Sequence, residues 1–196
     1  MHDPEAMPQL LAEYLSRSDG ARLAHVVSYD VMVGGYSRSM ARAVVEWSDG
    51  TRETFVLRGD PPPGKSMMDT DRDTEWQLLR ALADTDAIDM PAARYYDDTG
   101  AHLGTKCIVL DFVDGRSLQA HLNDLAAEDG FGSHRDDLVD TMAKVHSIDI
   151  DTLPTEFKRP VDWNTYIGSL IERFRVADQG HVEVCIFGDD DRIIAT

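Results

Sequence analysis

The spacing of apolar residues changes period several times along this chain, and the changes mark out its elements. Asp3-Pro4 offers an N-cap and a first-turn proline, after which Met7, Leu10, Leu11, Tyr14 and Leu15 recur at helical spacing until Ser18-Asp19-Gly20 stops them. Residues 22–33 then read as a strand running into Gly34-Gly35. In the next strand Ala41, Ala43, Val45 and Trp47 share one face, and Arg42, Val44 and Glu46 share the other. Asp49-Gly50 turns the chain back into a third strand, where Thr54, Val56 and Arg58 oppose Phe55 and Leu57. Arg58 therefore belongs to whichever face Val56 helps to line.

Three consecutive prolines within 59–66 take the backbone out of the sheet, and a helix is expected over about 69–83, with Trp76, Leu79, Leu82 and Ala83 as its apolar positions. Pro91 opens an extended run through Tyr95-Tyr96, Asp98-Thr99-Gly100 turns it, and 104–113 (GTKCIVLDFV) forms an apolar strand. Beyond Asp114-Gly115 the pattern becomes helical. Helices are expected over about 117–128, 135–147 and 162–177, the last with Trp163, Tyr166, Ile167, Leu170, Ile171 and Phe174 on one broad face, and the tail reads as a small hairpin. The expected organisation is a sheet-containing lobe over 1–115 and a partial helical lobe with its terminal hairpin over 116–196.

Composition narrows the partners. A formal net charge of -17 over 196 residues argues against a nucleic-acid backbone or an anionic membrane. Any polyphosphate site must then concentrate its few cations locally or lean on metal. Two cysteines, Cys107 and Cys185, define neither a disulfide framework nor a zinc site. The opening residues MHDPEAM lack the basic and apolar regions of a signal peptide, and the expected location is cytoplasmic.

The candidate chemistry lies in residues 34–58, GGYSRSMARAVVEWSDGTRETFVLR. A glycine-rich bend between antiparallel strands brings backbone N–H groups close to phosphates, and Arg58 ends the next strand within reach of the same ligand. Glu75 has two readings: a flank paired locally with Arg72, or an acid that crosses to Arg58 and holds it for a ligand. Asp189, Asp190 and Asp191 suit a solvated hairpin tip as well as a cation. His146, at a helix end, suits a capping or packing role.

These segments, taken in order, resemble the aminoglycoside phosphotransferase family of small-molecule kinases, in particular the branch related to acyl-CoA-dehydrogenase-associated phosphotransferases. GGYSRS looks like the family's phosphate loop, FVLRGDPPPG like its basic strand end and Pro-rich loop, and DTEWQLLRALADTD like its first helix. MPAARYYDD and CIVLDFVDGRSL resemble the strand and hinge, and LVDTMAKVHSID the helix before the catalytic segment. The resemblance implies an α+β, protein-kinase-like fold: a five-stranded antiparallel N-terminal lobe with one helix, then an incomplete helical C-terminal lobe. It implies ATP and Mg²⁺ as cofactors and a small-molecule hydroxyl as acceptor. Gly34, Gly35, Tyr36 and Ser37 would cover the phosphates, Arg58 would contact them while paired to Glu75, and backbone groups near Asp111 and Val113 would receive adenine.

The chain departs from the family's pattern in its last third. It has no His-Gly-Asp, and its only asparagines, Asn123 and Asn164, precede the place where the catalytic segment should stand. In one reading of the tail, Phe187-Gly188-Asp189 is a degenerate catalytic segment with Asp189 as the base, although Ile194 occupies the position of the metal-binding Asn. In the other, favoured by the strand-turn-strand pattern, CIFGDDDRIIAT resembles the hairpin leading into the metal-binding aspartate, and the chain stops short of that ligand. The metal ligands are unknown in both. The alternatives to a phosphotransferase are thus a nucleotide-binding module without turnover and an interaction scaffold, in which a second copy or another protein covers apolar helical surface.

Overall fold

The computed structural model describes residues 5–32, 39–60, 71–85, 87–115, 132–153 and 162–180. Helix α1 (Met7–Asp19) buries Met7, Leu11, Tyr14 and Leu15, an i, i+4, i+7, i+8 stripe. Its N-cap is Ala6, with Pro8 in the first turn, so the helix starts later than the Asp3-Pro4 signal implies; those two residues lie outside the described ones. It ends as expected at Gly20, whose φ of 73° is open to a residue without Cβ and whose N–H reaches the Ser16 carbonyl.

Five antiparallel strands follow: β1 (Ala24–Met32), β2 (Ser39–Trp47), β3 (Arg52–Gly59), β4 (Ala93–Asp97) and β5 (Cys107–Asp111), in the spatial order β1-β2-β3-β5-β4. β5 is shorter at both ends than the apolar run 104–113, and the turn before it is held by Asp97. Its carboxylate accepts from the His102 and Leu103 N–H groups at 2.9 and 2.7 Å. The Asp49-Gly50 turn joins β2 to β3, with Gly50 at φ 84° and the Thr51 N–H on the Asp49 carboxylate.

The alternation read from the sequence becomes two faces. On one, Ala41, Ala43, Val45, Trp47, Phe55, Leu57 and Val109 are buried with the α1 stripe. Each fully buried Leu or Phe there contributes roughly 1.5–3 kcal/mol. On the other, Val56, Ala93, Ile108 and Leu110 pack with Trp76 and Leu79 of α2 (Arg72–Thr85). That helix begins three residues later than expected because Asp71 caps it, its carboxylate accepting from the Thr74 N–H at 3.0 Å.

The remaining described elements are α3 (Gly132–His146), a 3₁₀ turn (Ile150–Thr152) and α4 (Trp163–Gly180), the last capped by Asp162 through the Thr165 N–H at 2.8 Å. The chain divides into two compact units, Met1–Phe157 and Lys158–Thr196. The helix expected over 117–128 and the terminal hairpin lie outside the described residues. Among the described residues no helix is long and apolar enough to cross a membrane.

Candidate functional site

Antiparallel register places Arg58 between Met40 of β2 and Ile108 of β5, on the α2 side of the sheet. Its guanidinium meets Glu75 from the first turn of α2, Nη1 to Oε1 at 3.0 Å. The other oxygen of that carboxylate is taken by Nη1 of Arg72. Glu75 thus pairs locally with Arg72 and also crosses to Arg58. Arg72 is fully buried and also reaches Asp60, Nε to Oδ1 at 2.9 Å, and the Gly59 carbonyl, Nη2 to O at 3.4 Å. The Nε contact is an ion-pair distance without the alignment of a hydrogen bond, so its worth is coulombic. Arg58 Nε is buried and has no hydrogen-bond partner among the described residues. A buried donor in that state is costly unless a ligand satisfies it.

Arg58 lines a pocket of about 580 Å³. Met32, Met40, Val56, Met90 and Leu110 supply apolar wall, and Asp111, Phe112 and Val113 supply its edge. At that edge the backbone donors are unequally used. The Asp111 N–H donates to the Ala92 carbonyl at 2.9 Å and the Phe112 N–H to the Thr54 carbonyl at 3.0 Å. No described residue accepts from the Val113 N–H. The Asp111 carboxylate is turned to Arg94, Oδ1 to Nε at 3.3 Å, so this residue offers the pocket its backbone.

Helix α2, which carries Glu75, is braced at its first turn. Asp73 accepts from the Tyr96 hydroxyl at 2.7 Å and from the Lys106 ammonium, and Trp76 stacks on Tyr96 at 5.4 Å between centroids. The Lys106 ammonium, and after it the Tyr96 hydroxyl, hold the Asp73 carboxyl below the usual range. Burial, followed by the Asp73 carboxylate, pushes the Tyr96 phenol up. Burial also pushes the Cys107 thiol up to about 12, which makes it a packing residue rather than a nucleophile.

Residues 35–182 match the phosphotransferase enzyme family, well over half of the chain. The chain belongs to that family. A candidate aminoglycoside phosphotransferase from Ralstonia eutropha superposes with a TM-score of 0.58 at 16% identity, over 86% of this chain and 47% of its own. At that identity the likeness establishes the fold, which is kinase-like. A second solved structure, APH(2")-IIa in ternary complex with streptomycin and ATP, gives a TM-score of 0.49 at 12% identity over 96% of this chain and 55% of its own, too loose to add to the argument. The chain thus spans about half the length of these solved phosphotransferases. No curated protein matches it.

Of the residues singled out from the sequence, this phosphotransferase-family chain brings Arg58, Asp111 and Val113 to one pocket and puts Glu75 on Arg58. Gly34, Gly35, Tyr36, Ser37 and Asp189 lie outside the described residues. The two ends of the 33–38 connection are described, however: Met32 and Met40 pair in register and both line the pocket. Sequence reasoning missed the three methionines, which come from distant segments, and the burial of Arg72. Among the described residues no group of three or more His, Cys, Asp or Glu side chains is placed to hold a metal ion.

Proposed function

We propose that the pocket receives ATP as the phosphoryl donor for the hydroxyl of a small molecule. The observation that carries this reading is Arg58, which lines an apolar pocket and is anchored to Glu75 by Nη1, while its buried Nε is a donor without a hydrogen-bond partner among the described residues. Such a donor suits a phosphate oxygen, to which a guanidinium binds as a fork. On the opposite side the open Val113 N–H suits a nitrogen of the purine ring, and Met32, Met40, Val56 and Leu110 suit its faces. Mg²⁺, which the family resemblance implies, would neutralise charge developing between the phosphates. The sequence identifies no ligands for it, and no step is assigned to it.

Calorimetric titration of ATP and adenosine against the chain and its Arg58→Met variant tests the reading. Losing charge-assisted hydrogen bonds to phosphate costs roughly 1.5–3 kcal/mol, so ATP affinity should fall about 10- to 100-fold while adenosine affinity holds. A folded wild-type chain that takes up no ATP would refute nucleotide binding, and with it both the phosphotransferase and the non-catalytic nucleotide-module readings.

A second reading rests on α4. Trp163 is 71% exposed, with Tyr166, Ile167 and Ile171 also exposed, an apolar face that suits a second copy of the chain or another protein. Sedimentation of the wild type and of Trp163→Ser over a concentration series tests it: self-association weakened by the substitution supports the homodimer, and a monomer at all concentrations removes it.

A further inference from the structure

We infer that Asp89 selects the base: its carboxylate accepts a hydrogen bond from the 6-amino group of adenine and turns away purines that carry an oxygen there. The inference rests on the nucleotide reading above and deepens it with a residue which that reading leaves unused.

Asp89 lines the same pocket as Arg58, and it has no hydrogen bond or ion pair among the described residues. The other carboxylate of the lining, Asp111, is engaged by Arg94. An acid in a pocket for an anion is tolerable only if the two charges stand apart and each meets its own part of the ligand. The register sets them apart. Arg58 pairs with Ile108, whereas Ala92, three residues after Asp89, gives its carbonyl to the Asp111 N–H. Those two points are three residues apart on β5, roughly 10 Å. Because β4 and β5 are antiparallel, the chain from Ala92 back to Asp89 runs further from Arg58, alongside 112–113. Phosphates at Arg58 and a base at the 111–113 edge therefore leave Asp89 at the base.

Along that edge the N–H groups alternate, Asp111 toward Ala92 and Phe112 toward Thr54 of β3. Continued by one residue, the alternation directs the Val113 N–H to the side on which 89–91 run. One donor and one acceptor-only carboxylate thus share the same end of the pocket. Adenine matches them, since its N1 accepts and the neighbouring 6-amino group donates. Guanine and hypoxanthine place an oxygen at position 6, which would meet the carboxylate with no proton between them.

Calorimetric titration of ATP and ITP against the full chain and its Asp89→Asn variant tests the inference. ITP carries oxygen in place of the 6-amino group and keeps the ribose and the phosphates. The wild type should bind ATP about tenfold or more tighter than ITP, the worth of one hydrogen bond to a charged group. In Asp89→Asn the ratio should fall to within about threefold, because an amide can turn its NH₂ toward the oxygen. Removing a negative charge favours both triphosphates alike, so a purely electrostatic role would leave the ratio unmoved. Adenosine and inosine should repeat the preference and its collapse without phosphates. Asp89 is exposed, and its substitution removes no contact made by the described residues. Equal wild-type affinity for ATP and ITP, or a ratio unchanged in the variant, overturns the inference and leaves nucleotide binding standing. A wild type that binds neither triphosphate refutes the proposed function, and the inference falls with it.

Discussion

At the scale of single residues the site is a matter of which donors are spent. Asp111 and Phe112 have used their N–H groups within the sheet and its continuation, whereas the Val113 N–H finds no acceptor among the described residues. Alternation exposed Arg58 to prediction, because a residue two positions from Val56 must share its face. Arg72 was less legible: i, i+3 spacing shows that it can meet Glu75, but not that the end of β3 closes over it through Gly59 and Asp60. Asp73 offers a separate test. Its carboxyl is lowered by Lys106 and then Tyr96, so folding favours the charged form. A group depressed in this way stabilises above its unfolded pKa of about 4, and the contribution is lost as pH falls through the folded value. Asp73→Asn should therefore lower Tm at neutral pH and flatten Tm against pH below about 4, measured by thermal melts. An unchanged acid slope would show that the Asp73 contacts carry no stability.

Among elements, the Asp49-Gly50 hairpin is the most legible in the sequence, since its turn residues and the period-two faces of β2 and β3 signal independently of one another. Helix starts were read less well: α1 begins beyond Asp3-Pro4, and α2 begins where Asp71 caps it, a choice between neighbouring acids that only the folded backbone makes. The two turn glycines differ in a way the sequence hides. Gly50 and Gly100 both have positive φ, 84° and 69°, but a Cβ on Gly50 meets nothing within 4 Å, whereas one on Gly100 would lie 2.6 Å from the Thr105 carbonyl carbon. Gly50→Ala should cost about 1–2 kcal/mol for backbone conformation alone. Gly100→Ala adds a backbone clash and should cost at least about 3 kcal/mol, with chemical denaturation as the measure. Equal costs would mean that the Thr105 segment yields.

The sheet-bearing unit as a whole separates stability from chemistry by the two faces of one sheet. α1 packs on the face opposite the pocket, so Leu11→Ala should lose about 2–5 kcal/mol of stability while the ratio of ATP to adenosine affinity stays fixed. A changed ratio would show that the faces are coupled. The formal charge of -17 is another property of the whole, legible from composition, and it opposes the approach of an anionic ligand. Added salt should therefore raise the ATP association rate, read by stopped flow. The methionines of the pocket have a practical consequence as well. With carbon-13 in their terminal methyl groups, Met32, Met40 and Met90 become resonances that move when the pocket fills, while Met7, buried at the start of α1, serves as an internal standard. The protein thus carries its own spectroscopic reporters of occupancy, and a library of small molecules can be screened against it before any turnover has been measured.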